Sequence, residues 1–361
     1  MTSDFILEKL VRRVSRDKDE PEASPKENIP KILLANFKNT CSIPCSIPCN
    51  IPCNIPCNIP CSISVRTCDY IENTIMFMLK TVILPTLSTN KLPTVTPGYI
   101  RYCGTCSYDG TYFSGWQVQR NTNKRTVAGT LETTIKSSLN LTSPFHVTGS
   151  SRTDAGVHAK QQLLHFDLPS SPDIDSSSPS HLKDIINLNL PPDLTLLTLT
   201  PTTSTFHSIT SCTSKTYVYN LCVSPYQSPH SRLHRLHVYR DVDVDVLEDC
   251  LRRFEGTHDF KAFAGQVEQK IKVKKNFTTT RTINSITLSR TSSTSYSISI
   301  NLNGALYKMI RNIVGTCLDV AMGRVDILEV ERLLEGKGRV ENKSKPAKPH
   351  GLCLEEVFFE E

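Results

Sequence analysis

The sequence predicts an α+β fold, and three patterns carry that expectation. Apolar residues alternate in segments such as Gln162–Leu168 and Tyr296–Leu302, the period of a strand. They recur every three or four residues in Val127–Leu139, Val246–Glu255 and 305–322, the period of a helix. These strand and helix patterns occur in both halves of the chain beyond residue 95. They suit two ferredoxin-like halves with antiparallel sheets, helices on one face and a cleft between them.

The elements follow in order. Residues 1–95 read as a low-complexity extension, disordered ahead of the folded part. Met1–Pro30 is charged, lacks an apolar run long enough for a signal peptide, and is too acidic for an ordinary transit peptide. From Cys41 to Pro60 the unit Cys-Ser/Asn-Ile-Pro repeats. Proline at every fourth residue forbids a helix and removes ladder donors from a strand, so extended or disordered chain follows. Its Cys-x3-Cys spacing is not that of the paired ligands of a zinc site. Residues 75–84 are apolar but too short to cross a bilayer. Met76 and Met78 stand there as alternative starts.

Two halves are expected, 96–205 and 206–361. Tyr99–Ser107 reads as a strand closed by the turn Tyr108-Asp109-Gly110-Thr111. Val127, Leu131, Ile135 and Leu139 share one helical face. In Gln162–Leu168, the residues Leu164, Phe166 and Leu168 oppose His165 and Asp167, which predicts a half-buried strand. Residues 169–180 read as a loop. Val246–Glu255 reads as a helix stopped by Gly256, and 305–322 as a long helix with Met309, Ile310 and Ile313 inward.

Composition excludes little. Hydrophobic content is 38% and net charge +6, too mild by itself to demand nucleic acid. Two basic clusters stand out: Lys270, Lys272, Lys274 and Lys275, and Arg232, Arg235 and Arg240 with His230, His234 and His237. Either could be a solvated loop. Of fourteen cysteines, six lie four apart from Cys41 to Cys61 and the rest are scattered, the pattern of reduced thiols in an intracellular protein, in the cytoplasm or an organelle. Cys103 and Cys106, three apart in a strand, point to opposite faces and do not converge on a metal.

The run Arg152-Thr153-Asp154-Ala155-Gly156-Val157-His158-Ala159 carries the chemistry. It sets a carboxylate beside an arginine on a glycine-containing turn ahead of a strand. A neighbouring cation favours the ionised carboxylate, and a desolvated carboxylate in a cleft can act as a nucleophile. The loose likeness of Asp154-Ala155-Gly156 to an aspartic hydrolase fails, because that chemistry needs a second Asp close by.

This run resembles the signature of the TruA family of tRNA pseudouridine synthases. The likeness extends in order through Tyr108–Thr111, Gly115-Trp116-Gln117, Asn187, Leu190-Pro191, Phe206-His207, Lys215, Tyr217 and Tyr219. It continues through His258-Asp259-Phe260, Arg281-Thr282-Ile283, Met309–Gly315 and His350–Leu354. The resemblance implies an isomerase that turns uridine into pseudouridine in tRNA, at positions 38–40 of the anticodon stem-loop, with no cofactor and no metal. It implies a homodimer, a tRNA partner and no membrane. Asp154 would be the catalytic nucleophile or base at the ribose. Arg152 would fix its carboxylate, and Arg311 would help hold the phosphate or flipped nucleotide. Tyr217 would stack on uracil, while Phe206 and Leu352 would line the pocket. Two departures are visible: Ser151 where many members have Gly, and Ile209 where they often have Arg. A non-catalytic RNA-binding protein on the same scaffold is the competing reading. It has no use for a full set of buried polar site residues.

Overall fold

The computed structural model describes residues 95–119, 122–171, 174, 177–273 and 277–360. The expectations for residues 1–94, including the Cys-Ser/Asn-Ile-Pro repeat and the two alternative starts, lie outside the described residues. So do Lys274 and Lys275 and the side chains of Lys270 and Lys272.

The strands are β1 (Tyr99–Tyr108), β2 (Thr148–Gly149), β3 (His158–Pro169), β4 (Leu194–Pro201), β5 (Cys212–Val223), β6 (Leu236–Val238), β7 (Gly256–Asp259), β8 (Thr280–Arg290), β9 (Ser295–Leu302) and β10 (Leu352–Phe359). The helices are α1 (Val127–Ser138), α2 (Pro179–Asn189), α3 (Val244–Arg252), α4 (Val267–Val273), α5 (Met309–Ala321) and α6 (Leu328–Leu334). The α+β class is therefore as the sequence predicts.

The strands of both halves join into one ten-stranded sheet of order β4-β1-β3-β10-β5-β9-β8-β7, with β2 on β3 and β6 on β5. The join is the C-terminal strand. β10 runs parallel to β3 (Cys353 opposite His158, Leu354 opposite Ala159) and antiparallel to β5 (Leu354 opposite Tyr217). The pairings within each half are antiparallel, as expected, except for the short β6 on β5, and the parallel β3–β10 pairing lies where the halves meet.

The expected half-buried strand is buried on both faces. Gln162, Leu163, Leu164, His165 and Phe166 are all buried in β3. The polar members are tolerated because they are bonded. Ser150 Oγ lies 3.1 Å from Gln162 Oε1, and Gln162 Nε2 donates to the Ser151 carbonyl at 2.5 Å. His165 Nδ1 lies 2.9 Å from Ser208 Oγ.

Helix ends follow local chemistry. Thr126 caps α1 through Gly129 N–H, Ser178 caps α2 through His181 N–H, and Asp243 caps α3 through Asp245 and Val246 N–H. α5 starts at Met309, four residues later than the periodicity suggests, because Lys308 sits in the left-handed region at φ 60°. It packs against α3 and is buried almost all round, so Arg311 and Asn312 lie inside the molecule. Gly256 opens β7 at φ 98° instead of merely ending the helix before it. Cys103 and Cys106 are buried and neither is in a disulfide, and burial pushes the Cys106 thiol up, which disfavours a metal-binding or redox thiolate at Cys106.

Burial, the neighbouring His207 and the Arg101 charge push the His165 imidazole down to about 4. A depressed histidine favours folding fully above its unfolded value near 6.5, and that contribution is lost as pH falls through 4. Thermal unfolding should therefore show a midpoint that drops between pH 6.5 and 4. H165Q should flatten that drop relative to the parent, while an equal drop would assign it to other groups.

Candidate active site

The cleft of interest, about 930 Å³, opens where the turn before β3 meets β5, β10 and the start of α5. Its floor is the turn Ser150–Val157. The Trp116 amide donates to the Thr153 carbonyl at 3.1 Å, and the Gly156 amide to the Phe113 carbonyl at 3.2 Å. Tyr108 Oη lies 2.8 Å from Thr153 Oγ1. Two glycines are required here. Gly115 (φ +94°) would drive a Cβ to 2.8 Å from the Thr153 carbonyl oxygen, and Gly156 (φ +77°) lies against Pro349. Trp116 is buried and packs over Gly149, which makes the only tryptophan structural.

Asp154 and Arg311 meet across 157 residues of chain. Arg311 Nη1 donates to Asp154 Oδ2 at 2.7 Å, and both side chains are largely buried. The guanidinium is itself locked, because Nε donates to the Ala347 carbonyl at 2.7 Å and the Ala347 amide returns a bond to the Arg311 carbonyl at 2.8 Å. The adjacent Asn312 Nδ2 donates to the Phe263 carbonyl at 2.6 Å, which fixes the first turn of α5.

Tyr217 enters from β5, buried, with its hydroxyl 2.7 Å from Ser151 Oγ. Burial, with the nearby Asp154 charge adding to it, raises the phenol to about 12, so it stays neutral at physiological pH. Leu352 lines the cleft at the start of β10. Among the described residues, five cations, Arg152, Lys215, Arg281, Lys308 and Arg311, line the cleft against one carboxylate, Asp154. The surplus positive charge suits a polyanion.

The family model for tRNA pseudouridine synthase matches residues 106–209 and 251–360. Similar proteins include tRNA pseudouridine synthase A 1 of Protochlamydia amoebophila, 35% identical over 259 residues, covering 71% of this chain and 95% of the relative. tRNA pseudouridine synthase A of Streptococcus thermophilus is 34% identical over 266 residues, covering 72% and 100%. That of Clostridium kluyveri is 36% identical over 254 residues, covering 70% and 96%. The chain belongs to the TruA family of tRNA pseudouridine synthases. It is an isomerase by that membership. Among solved structures, the archaeal box H/ACA sRNP Nop10-Cbf5 complex is similar at a TM-score of 0.27 and 12% identity, over 61% of this chain and 43% of that one, too low to bear on the site.

The matched segments of the TruA chain contain Arg152, Asp154, Phe206, Arg311 and Leu352, and Tyr217 falls between them. The structure gathers Asp154, Arg311, Tyr217 and Leu352 at one cleft. Arg152 reaches its rim but does not fix the carboxylate: it is exposed, and Arg311 holds Asp154 instead. The physical reason is direction. On the tight turn, Arg152 projects to solvent while Asp154 turns inward toward α5. Phe206 is not in the cleft. It is buried beside His165 and Phe359, and its carbonyl accepts from Arg101 Nη1 at 2.7 Å. Ile209 lines the rim and is 45% exposed, so the family's frequent arginine would sit there in solvent.

Sequence reasoning missed Lys215 and Ser151 as cleft groups, although both lie in the quoted motifs. It also missed that Ala347 and Pro349 back the site. Among the described residues, Asp109, His158 and His234 form a group close enough to hold a metal ion. The two His158 nitrogens and Asp109 Oδ1 are otherwise committed. His158 Nδ1 accepts from the Gly110 amide at 3.1 Å, its Nε2 lies 2.9 Å from the Leu233 carbonyl, and Asp109 Oδ1 accepts from the Thr111 amide and hydroxyl. Burial, with His234 adding to it, lowers the His158 pKa and keeps the ring neutral. The cluster ties the motif to the 233 and 350 loops.

Removing Arg311 should leave a largely buried carboxylate unpaired. R311A should lower urea-unfolding stability by about 3 kcal/mol or more. R152A, at an exposed position, should change it by about 0.5 kcal/mol or less. Equal losses would contradict the pairing.

Proposed function

We propose that the protein converts uridine to pseudouridine in tRNA with Asp154 as the nucleophile and no cofactor. The observation that carries this reading is the Asp154–Arg311 pair at 2.7 Å beneath Tyr217, in a cleft with a surplus of positive charge. The reaction breaks the N1–C1′ bond and joins C5 to C1′. Asp154 attacks C1′ and the uracil leaves with the N1 electron pair. The ring turns, C5 bonds C1′ and displaces the carboxylate, the C5 proton is lost, and N1 gains one. No atom or electron is gained overall, so the chemistry requires no redox group or donor.

Arg311 aligns the carboxylate with a fork that a second bond, to Ala347, keeps from rotating. Tyr217 offers a neutral ring face on which the flipped uracil stacks. The cleft volume lies in the range of sites that enclose one small molecule or nucleotide. The reading includes uridines 38–40 of the anticodon stem-loop as targets and a homodimer as the acting form. Both are supported by the resemblance to the family's bacterial branch.

The test is the full chain, incubated with tRNA carrying tritium at uridine C5. Wild type should release tritium and D154A should release none above background, while binding tRNA. Y217A should weaken tRNA binding by about 1–3 kcal/mol, the worth of one stacked base, and Y217F by far less. Equal tRNA binding by wild type and D154A, without release from either across several tRNAs, would leave a non-catalytic RNA-binding protein. Mapping the product nucleotide and sedimentation of the free protein check the target and the dimer.

A further inference from the structure

Lys215 is the buried cation in the cleft that the reading above does not use. It lies on β5 two residues before Tyr217, so both side chains leave the same face of the strand, about 7 Å apart along it. The side chain is only 8% exposed. Its one hydrogen bond among the described residues runs from Nζ to the Ser150 carbonyl at 2.6 Å. No carboxylate pairs with it there, and an ammonium has three donors. Burial pushes its pKa down, as expected of a cation without a counter-charge.

A buried charge of this kind is costly unless an opposite charge arrives. The remaining donors face a cleft in which, among the described residues, the one carboxylate, Asp154, is already taken by Arg311. The missing anion must therefore come from the ligand. We propose that Lys215 is a substrate-contacting residue that binds a backbone phosphate oxygen flanking the target uridine, while its bond to Ser150 holds the catalytic turn. This rests on the proposed RNA-modifying function and deepens it. A uridine stacked on Tyr217 would have Asp154 and Arg311 at its ribose and Lys215 at its phosphate. The contact would favour the flipped nucleotide over one still stacked in the RNA, because a stacked nucleotide keeps its phosphate outside the cleft.

The test separates charge from shape. K215Q keeps an N–H for the Ser150 carbonyl and removes the charge, K215R restores the charge, and K215M serves if K215Q does not fold. Binding of a tRNA anticodon stem-loop transcript is measured between about 50 and 200 mM salt, with tritium release measured in parallel. One lost phosphate contact lowers the slope of log affinity against log salt by about 0.7–0.9. K215Q should show that decrease and bind about 10- to 100-fold more weakly at low salt, and K215R should recover the slope. An unchanged slope in a folded K215Q or K215M overturns the proposal, whether or not turnover falls, and leaves Lys215 as a staple of the turn. A changed slope with no tritium release from wild type would instead sink the pseudouridine reading and keep the phosphate contact.

Discussion

The position of β10 is the constraint on which the rest depends. A terminal strand laid between β3 and β5 has both edges hydrogen-bonded, so its register fixes both neighbours at once. Leu354 faces Ala159 on one side and Tyr217 on the other. A slip of one residue would turn every side chain of the strand to the wrong face. The motif turn before β3 and the tyrosine on β5 are thereby set at one height, although they are far apart in sequence. Leu352, at the strand's start, lines the cleft between them.

Onto that frame the site adds buried electrostatics. The Asp154–Arg311 pair is formally neutral and is anchored on the protein side by the Arg311 bond to the Ala347 carbonyl. Around it the turn is tied to β3 and β5 by bonds of one kind, from buried side chains to backbone or hydroxyl oxygens: Lys215 to Ser150, Gln162 to Ser151, Tyr217 with Ser151. Ser151 is central to this. A glycine there would supply the carbonyl for Gln162 but no hydroxyl for Tyr217. The departure from the family's usual glycine therefore adds a polar partner to the tyrosine instead of merely being tolerated.

Much of the fold was legible because alternation and helical periodicity follow directly from burial. The strands at Tyr99 and Tyr296, and helices α1 and α3, were found from that pattern within a few residues. What failed was sidedness. β3 has polar residues where solvent was expected, and only tertiary bonds from Ser150, Ser151 and Ser208 make their burial affordable. The site was legible as a set of motifs but not as a set of contacts. Arg152 neighbours Asp154 in sequence and Arg311 is its partner in space, because a tight turn sends adjacent side chains in different directions. Phe206 shows the same limit: nothing in an apolar residue beside a motif says which side of the sheet it will fill.

The Ile209 substitution can be weighed in these terms. Its side chain lies at the cleft's rim, 45% exposed, where an arginine's charge would be screened by water and salt. A charge at such a rim acts mainly on encounter with a polyanion, and less on what happens once the nucleotide is inside. The deeper cations, Lys215 and Arg311, are desolvated and interact far more strongly with whatever enters. Their retention therefore outweighs the loss at the rim for chemistry, while the rim is where this chain can differ from its relatives in how it meets RNA. The positive charge of the cleft is graded from a screened edge to a buried centre, and the single carboxylate lies where the grading ends.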